Sequence, residues 1–332
     1  LMSDEFATKT PVETIHSGPA ASAIGGRFIS RIDDALVVDI GGTTTDIALI
    51  EKGQVAVSEE GATVANYKTA VKAANLFSIA LGGDSQIAAG RENKLMIGPE
   101  RVVPLAYLAD QYPRIREELK ALAQRSSSRI IPDWLEYWFL LREPPGDSDL
   151  ETQQEKSLVA LLRKGPRPLP EILEHLNLFS KIQIGTGNLV QKEIIARAGL
   201  TPTDLLHVEN RYHAWDRDAA RLALEIFSGC MQSDPAALCK RVWRRMTLTI
   251  VHAILTFLSG KTLSLSDSSE NGDIGRWFFY NSIDNGHPYL ETRFRLRLPI
   301  IGIGAPAGIF LESVAENLQT DLILPRHHQV AN

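Results

Sequence analysis

The feature that most constrains this chain is the run Asp39-Ile40-Gly41-Gly42-Thr43-Thr44-Thr45-Asp46. It is set between two short apolar segments, Ala35-Leu36-Val37-Val38 and Ile47-Ala48-Leu49-Ile50. Apolar segments of that length read as strands, and a Gly/Thr loop between them reads as the turn of a hairpin. The turn Glu51-Lys52-Gly53 and the segment Gln54-Val55-Ala56-Val57 continue the pattern. The spacing predicts an antiparallel meander. It excludes a βαβ unit here, because no helical pattern follows the glycines.

The loop has a chemistry of its own. Two adjacent glycines carry no Cβ, so the backbone can approach a ligand closely. Successive N–H groups in such a turn form a concavity for anions, and three threonines add hydroxyl donors. Asp39, at the strand end, is placed to hold hydrated Mg2+, an ion that keeps several waters and takes few carboxylates. The loop has no Lys and sits on a hairpin, so it is neither a Walker A loop nor GxGxxG. On motif shape alone, a Gly/Thr-rich turn without a ligand is the alternative.

Two further glycine loops follow. Leu81-Gly82-Gly83-Asp84-Ser85 comes after the apolar Leu76-Phe77-Ser78-Ile79-Ala80 and before what reads as a short helical stretch. Either its N–H groups face a phosphate or substrate, or Asp84 or Ser85 caps that helix. Leu298-Pro299-Ile300-Ile301 reads as a strand, Gly302-Ile303-Gly304-Ala305-Pro306-Ala307-Gly308 as a loop, and residues 309–318 as a helix. Strand, glycine loop, helix is an order that presents backbone N–H groups to a ligand.

Between these loops, residues 105–293 are poor in glycine and rich in charged helix formers. Helical spacing is found over residues 107–126, 158–164, 170–178, 191–198, 217–228 and 236–258, while 142–154 and 265–273 read as surface loops. A length of 332 residues suits two units, or one core with a large insertion. The expected division is one glycine-rich core from residues 1–104 and 294–332, which the family resemblance given below makes a nucleotide-binding lobe, with 105–293 as a mainly helical insertion. The formal charge of -5 supplies no basic surface for a phosphate backbone, so nucleic acid is not an expected partner. Cys230 and Cys239 make no disulfide framework, which suits a reducing, cytoplasmic compartment. Residues 246–259 are too short for a membrane span and contain His252, and no apolar leader is present in residues 1–10, so no membrane association is expected. His207, His213, Asp216 and Asp218 match no zinc spacing. Trp134, Tyr137 and Trp138 read as core or interface anchors.

The segment Ser17-Gly18-Pro19-Ala20-Ala21-Ser22-Ala23-Ile24-Gly25-Gly26, followed by the run from Asp39 to Asp46, resembles the hydantoinase/oxoprolinase family, hydantoinase A type. Gly199-Leu200-Thr201-Pro202-Thr203-Asp204-Leu205-Leu206-His207-Val208 looks like the same family. The resemblance implies an α/β fold: a ribonuclease H-like lobe of the actin, sugar-kinase and heat-shock-chaperone ATPases, with a large mostly helical insertion. The segment 17–26 would be a connecting helix whose small residues Ala20, Ala21, Ala23 and Gly25 let it cross another backbone, with Ser17 as a cap.

ATP and Mg2+ are the implied cofactors. Asp39 would be the catalytic carboxylate, acting on Mg2+ through water. Gly41, Gly42, Thr43 and Thr44 would bind phosphate, with Gly82 and Gly83 as the second loop. Gly302, Gly304 and Ala305 would line the adenosine side. The implied activity is ATP-dependent hydrolysis of a cyclic amide, 5-oxoproline or a hydantoin, with the carbonyl activated by phosphorylation. A ketone carboxylase subunit, a small-molecule kinase and a chaperone-like switch are the alternatives. A first-lobe phosphate hairpin finds no counterpart before Ser17. This implies the second lobe of a longer protein, with the first lobe and a hydantoinase-B-type subunit as partners beside the small-molecule substrate. It also implies little turnover by the chain alone.

Overall fold

The computed structural model describes residues 17–58, 63–64, 67–68, 73–125, 130–146, 150–261, 274–284 and 286–330. It is an α/β protein with open mixed sheets and many helices. Two compact units are formed, one from residues 1–82 with 243–332 and the other from 83–242. The boundaries expected at 104 and 293 fall inside the second and first unit respectively.

The first unit is organised by one sheet. Its strands lie in the order Leu322–Ile323, Ile300–Ile303, Ala35–Ile40, Thr45–Glu51, Gln54–Val55, and Leu76–Ile79 also pairs with Thr45–Glu51. The first three are parallel and the others form the antiparallel meander. Every residue of Ala35–Ile40 is buried, as expected for a strand paired on both edges and covered on both faces. The meander turns at Lys52-Gly53, where both φ angles are positive (50° and 75°), the geometry a two-residue hairpin needs.

Side-chain alternation along Ile300–Ile303 assigns the covering helices to opposite faces. Ile301 and Ile303 meet the helix Ser17–Ser30, where a Cβ on Gly26 would lie 2.6 Å from Ile303 Cδ1. Gly302 points the other way, and a Cβ there would lie 2.9 Å from Leu311 of the helix Ala307–Asn317. The close crossing of the first helix therefore depends on Ala23 and Gly26. Ala21 is exposed, and a Cβ on Gly18 would meet nothing within 4 Å. Ala23, Ala35, Val37, Ala48, Ile50, Ile301 and Ile303 form the core on that face.

The second unit is less helical than its composition suggests. A four-stranded sheet runs Val103–Pro104, Ile195–Gly199, Tyr137–Leu140, Arg167–Pro168. Residues 191–198, expected as a helix, instead end the short helix Gly187–Gln191 and enter the strand Ile195–Gly199. That strand is paired on both edges, and such pairing overrides a weak local preference. For the same reason the stretch after Gly83 is not helical. Ser85–Ala89 pairs antiparallel with Leu95–Arg101, so neither Asp84 nor Ser85 caps a helix.

The remaining helices follow their local signals. Pro113 splits the expected 107–126 pattern into Leu105–Gln111 and Arg114–Ala123. Thr152 and Thr201 each open a helix with a reciprocal capping box, and Asp216 caps Arg217–Cys230. Tyr137 and Trp138 are buried, with Trp138 in a core that includes Leu158, Leu162, Ile172, Leu189 and Ile195. The expected loop at 265–273 lies outside the described residues. Among the described residues, no helix is long and apolar enough to cross a membrane.

Candidate functional site

The site forms at one end of the first unit's sheet. The parallel strands Ala35–Ile40 and Ile300–Ile303 both end there, each followed by a glycine turn. Leu76–Ile79 ends there as well, because its Ile79 pairs with Thr45 at the start of the return strand. In open α/β sheets the carboxyl ends of parallel strands are where ligands are held.

Close backbone approach accounts for two of the glycines. A Cβ on Gly304 would sit 2.1 Å from the Ile40 carbonyl oxygen, and its φ of +96° is one that L side chains rarely adopt. A Cβ on Gly82 would lie 2.5 Å from the carbonyl oxygens of both Gly41 and Gly42. Gly41 and Gly304, far apart in sequence, thus lie next to each other, since Gly304 packs on the residue before Gly41.

Further bonds hold these turns. Gly41 donates its N–H to the Thr44 carbonyl at 3.0 Å, closing the hairpin, so this N–H is already engaged. The buried Thr45 hydroxyl donates to the Leu81 carbonyl at 2.7 Å, tying the second turn to the first. Gly304 donates to the His328 carbonyl at 2.9 Å. Thr43 and Ala305 are exposed at the turns.

Asp39 is the buried charge of the site. Its residue is 7% exposed, and its Oδ1 is buried without a protein hydrogen-bond partner. Burial raises its pKa, a Ser22 hydrogen bond opposes this, and the nearby Asp46 carboxylate adds to the rise. Asp46 is its register partner on the return strand and accepts from the Thr44 hydroxyl at 3.0 Å. A half-satisfied carboxylate beside a second one has the donor chemistry of a hydrated divalent cation site, so the residues present fit Mg2+. Gly82 and Gly304 let their turns pack directly on the Ile40-to-Gly42 backbone, where a Cβ would collide with carbonyl oxygens.

Gly83 belongs to the second unit, where its carbonyl accepts from both the N–H (3.0 Å) and the hydroxyl (2.8 Å) of Thr203. His207 is a buried structural histidine. Its Nδ1 meets the Thr203 carbonyl at 2.9 Å, and its Nε2 accepts from the Trp215 N–H at 3.2 Å. Among the described residues, no group of three or more His, Cys, Asp or Glu is poised to hold a metal.

The sequence reading counts Thr45 among the hydroxyl donors to an anion, but its buried hydroxyl is engaged by the Leu81 carbonyl instead; Ser22, Asp46 and His328 are not among the site residues it names. Asp46 was legible as the second acid closing the run that Asp39 opens. Thr45 carries the strand-start position, but nothing in the sequence marks its partner Leu81.

Residues 1–104 match the hydantoinase/oxoprolinase family model. Among solved structures, a nucleotide-free acetone carboxylase, described for ATP-dependent acetone carboxylation, is 14% identical with a TM-score of 0.51, covering 95% of this chain and 31% of that one. The ATP-dependent caprolactamase from Pseudomonas jessenii is 15% identical with a TM-score of 0.45, covering 92% and 30%. The acetone carboxylase likeness establishes a shared fold. This chain spans under a third of the length of either protein. No curated protein matches the sequence.

Proposed function

We propose that the chain is the nucleotide-binding lobe of an ATP-dependent enzyme acting on a carbonyl, with hydrolysis of a cyclic amide such as 5-oxoproline or a hydantoin as the leading activity. The observation that carries this is the packing of Gly82 and Gly304 around the Ile40-to-Gly42 backbone, beside the half-satisfied Asp39. The family-model match over residues 1–104 supports the same reading.

In this proposal Asp39, facing Asp46, holds hydrated Mg2+. Gly42, Thr43 and Thr44 approach the phosphates, while Gly41 shapes the turn that Gly82 packs against. Gly302, Gly304 and Ala305 form the adenosine side. Bound ATP supplies the phosphoryl group that activates the amide carbonyl towards water. The chain's own contribution is to position phosphates and balance their charge, on which phosphoryl transfer depends. The assignment to a second, ribonuclease H-like lobe, the role-based division at residues 104 and 294, and a hydantoinase-B-type subunit belong to the same proposal.

The test is ATP hydrolysis by the full-length protein, screened against 5-oxoproline, hydantoins, and ketones with bicarbonate. Amide-dependent turnover is the expected result. Ketone-dependent consumption of bicarbonate replaces hydrolysis with carboxylation, and nucleotide-dependent partner binding without small-molecule turnover overturns the enzyme reading.

A further inference from the structure

We infer that Ser22 is a positioning residue for Asp39, holding one carboxylate oxygen so that the other faces the turn containing Gly304. The inference rests on the nucleotide-site reading above and extends it to a residue outside all three glycine turns.

Three observations carry it. Ser22 is 5% exposed, on the helix Ser17–Ser30, and shares its buried face with Ala23 and Gly26. Those neighbours bring the helix close to the sheet, as the 2.6 Å gap between a Gly26 Cβ and Ile303 indicates. Asp39 lies on the strand face that this helix covers, since Ala35 and Val37 alternate with it in the same core. Ser22 hydrogen-bonds the Asp39 carboxylate. Because Oδ1 has no partner, that bond is to Oδ2. The free Oδ1 lies 3.1 Å from where a Gly304 Cβ would be, so it is directed at that turn.

A buried carboxylate without such a bond is free to rotate about χ2, a soft torsion, and to turn Oδ1 away. A hydroxyl donor on one oxygen removes that freedom and favours the charged form. Ser22 touches neither cation nor nucleotide in this account and acts through Asp39.

Isothermal titration of the full-length protein with AMP-PNP, in Mg2+ and again in EDTA, tests this. In Ser22→Ala the Mg2+-dependent gain in affinity should fall about tenfold, the size of a hydrogen bond to a charged group. Affinity in EDTA should stay as in the wild type. Ser22→Cys, close in volume but a weak donor, should behave the same way and covers the case in which the alanine variant folds poorly. In an Asp39→Asn background, Ser22→Ala should cost no further affinity. The inference is overturned if the Mg2+-dependent gain survives in both variants, if affinities in Mg2+ and EDTA fall alike, or if the loss persists in the Asp39→Asn background. A wild type that binds no AMP-PNP in either buffer instead sinks the nucleotide-site reading, and Ser22's role with it.

Discussion

Among the described glycines, Gly304 is the least open to substitution. An alanine there combines a positive φ with a 2.1 Å clash against a strand carbonyl, which cannot retreat because its strand is paired on both edges. Gly304→Ala should lower unfolding free energy by about 3 kcal/mol, read from urea titration. Gly82→Ala meets the Gly41 and Gly42 carbonyls at 2.5 Å. About 1–3 kcal/mol of overpacking strain is expected there, with a larger relative loss in AMP-PNP affinity than in stability. A calorimetric titration beside a melting curve separates the two effects.

At the scale of elements, Asp204 joins two helix starts of the second unit. Its carboxylate accepts from Leu105 N–H at 3.2 Å, Ala106 N–H at 2.7 Å, Thr201 N–H at 2.8 Å and the Thr201 hydroxyl at 2.9 Å. It thereby serves the start of one helix while boxing the start of another. Asp204→Asn places an amide donor among donors and should cost about 3 kcal/mol. Burial pushes the Asp204 pKa up to about 6, against these hydrogen bonds, from 3.8. The folded state therefore binds this proton more tightly than the unfolded state. Asp204's contribution to stability should rise as pH falls from about 6 towards 4, and be lost as pH rises through 6. Comparing urea midpoints of the wild type and Asp204→Asn across that window checks the sign.

The same element shows what was legible in the chain. Thr201, Pro202 and Asp204 announce a helix start, and one is there. That Asp204 also caps residues 105 and 106 depends on a contact across about a hundred positions, which local pattern does not encode. The hairpin around Gly41 was readable from its apolar flanks and glycines. The strand Ile195–Gly199 was not, since Ile-Ala-Arg-Ala-Gly becomes a strand through partners on both edges. Nor was the Ser22 contact with Asp39, which depends on how a helix crosses a sheet.

For the whole molecule, ligand effects should be local to one unit. Binding of Mg2+ and AMP-PNP to the native state should slow hydrogen exchange most in residues 35–50 and 300–310 of the first unit. Residues 153–199, whose core is separate, should change little. Equal protection across both units would contradict the placement of the site.

The helix Pro235–Ser259 runs without a break through Val242 and Trp243, where the chain passes from the second unit back to the first. Its 25 residues span about 37 Å at 1.5 Å each. Excising residues 83–242 and splicing the ends would therefore amputate the leading turns of a single rod. The remaining stump would begin at Trp243, whose ring packs 5.5 Å from Phe310, with no native cap to shield its first amides. Whoever trims this protein to its first unit must graft a new helix start there, not merely shorten a loop.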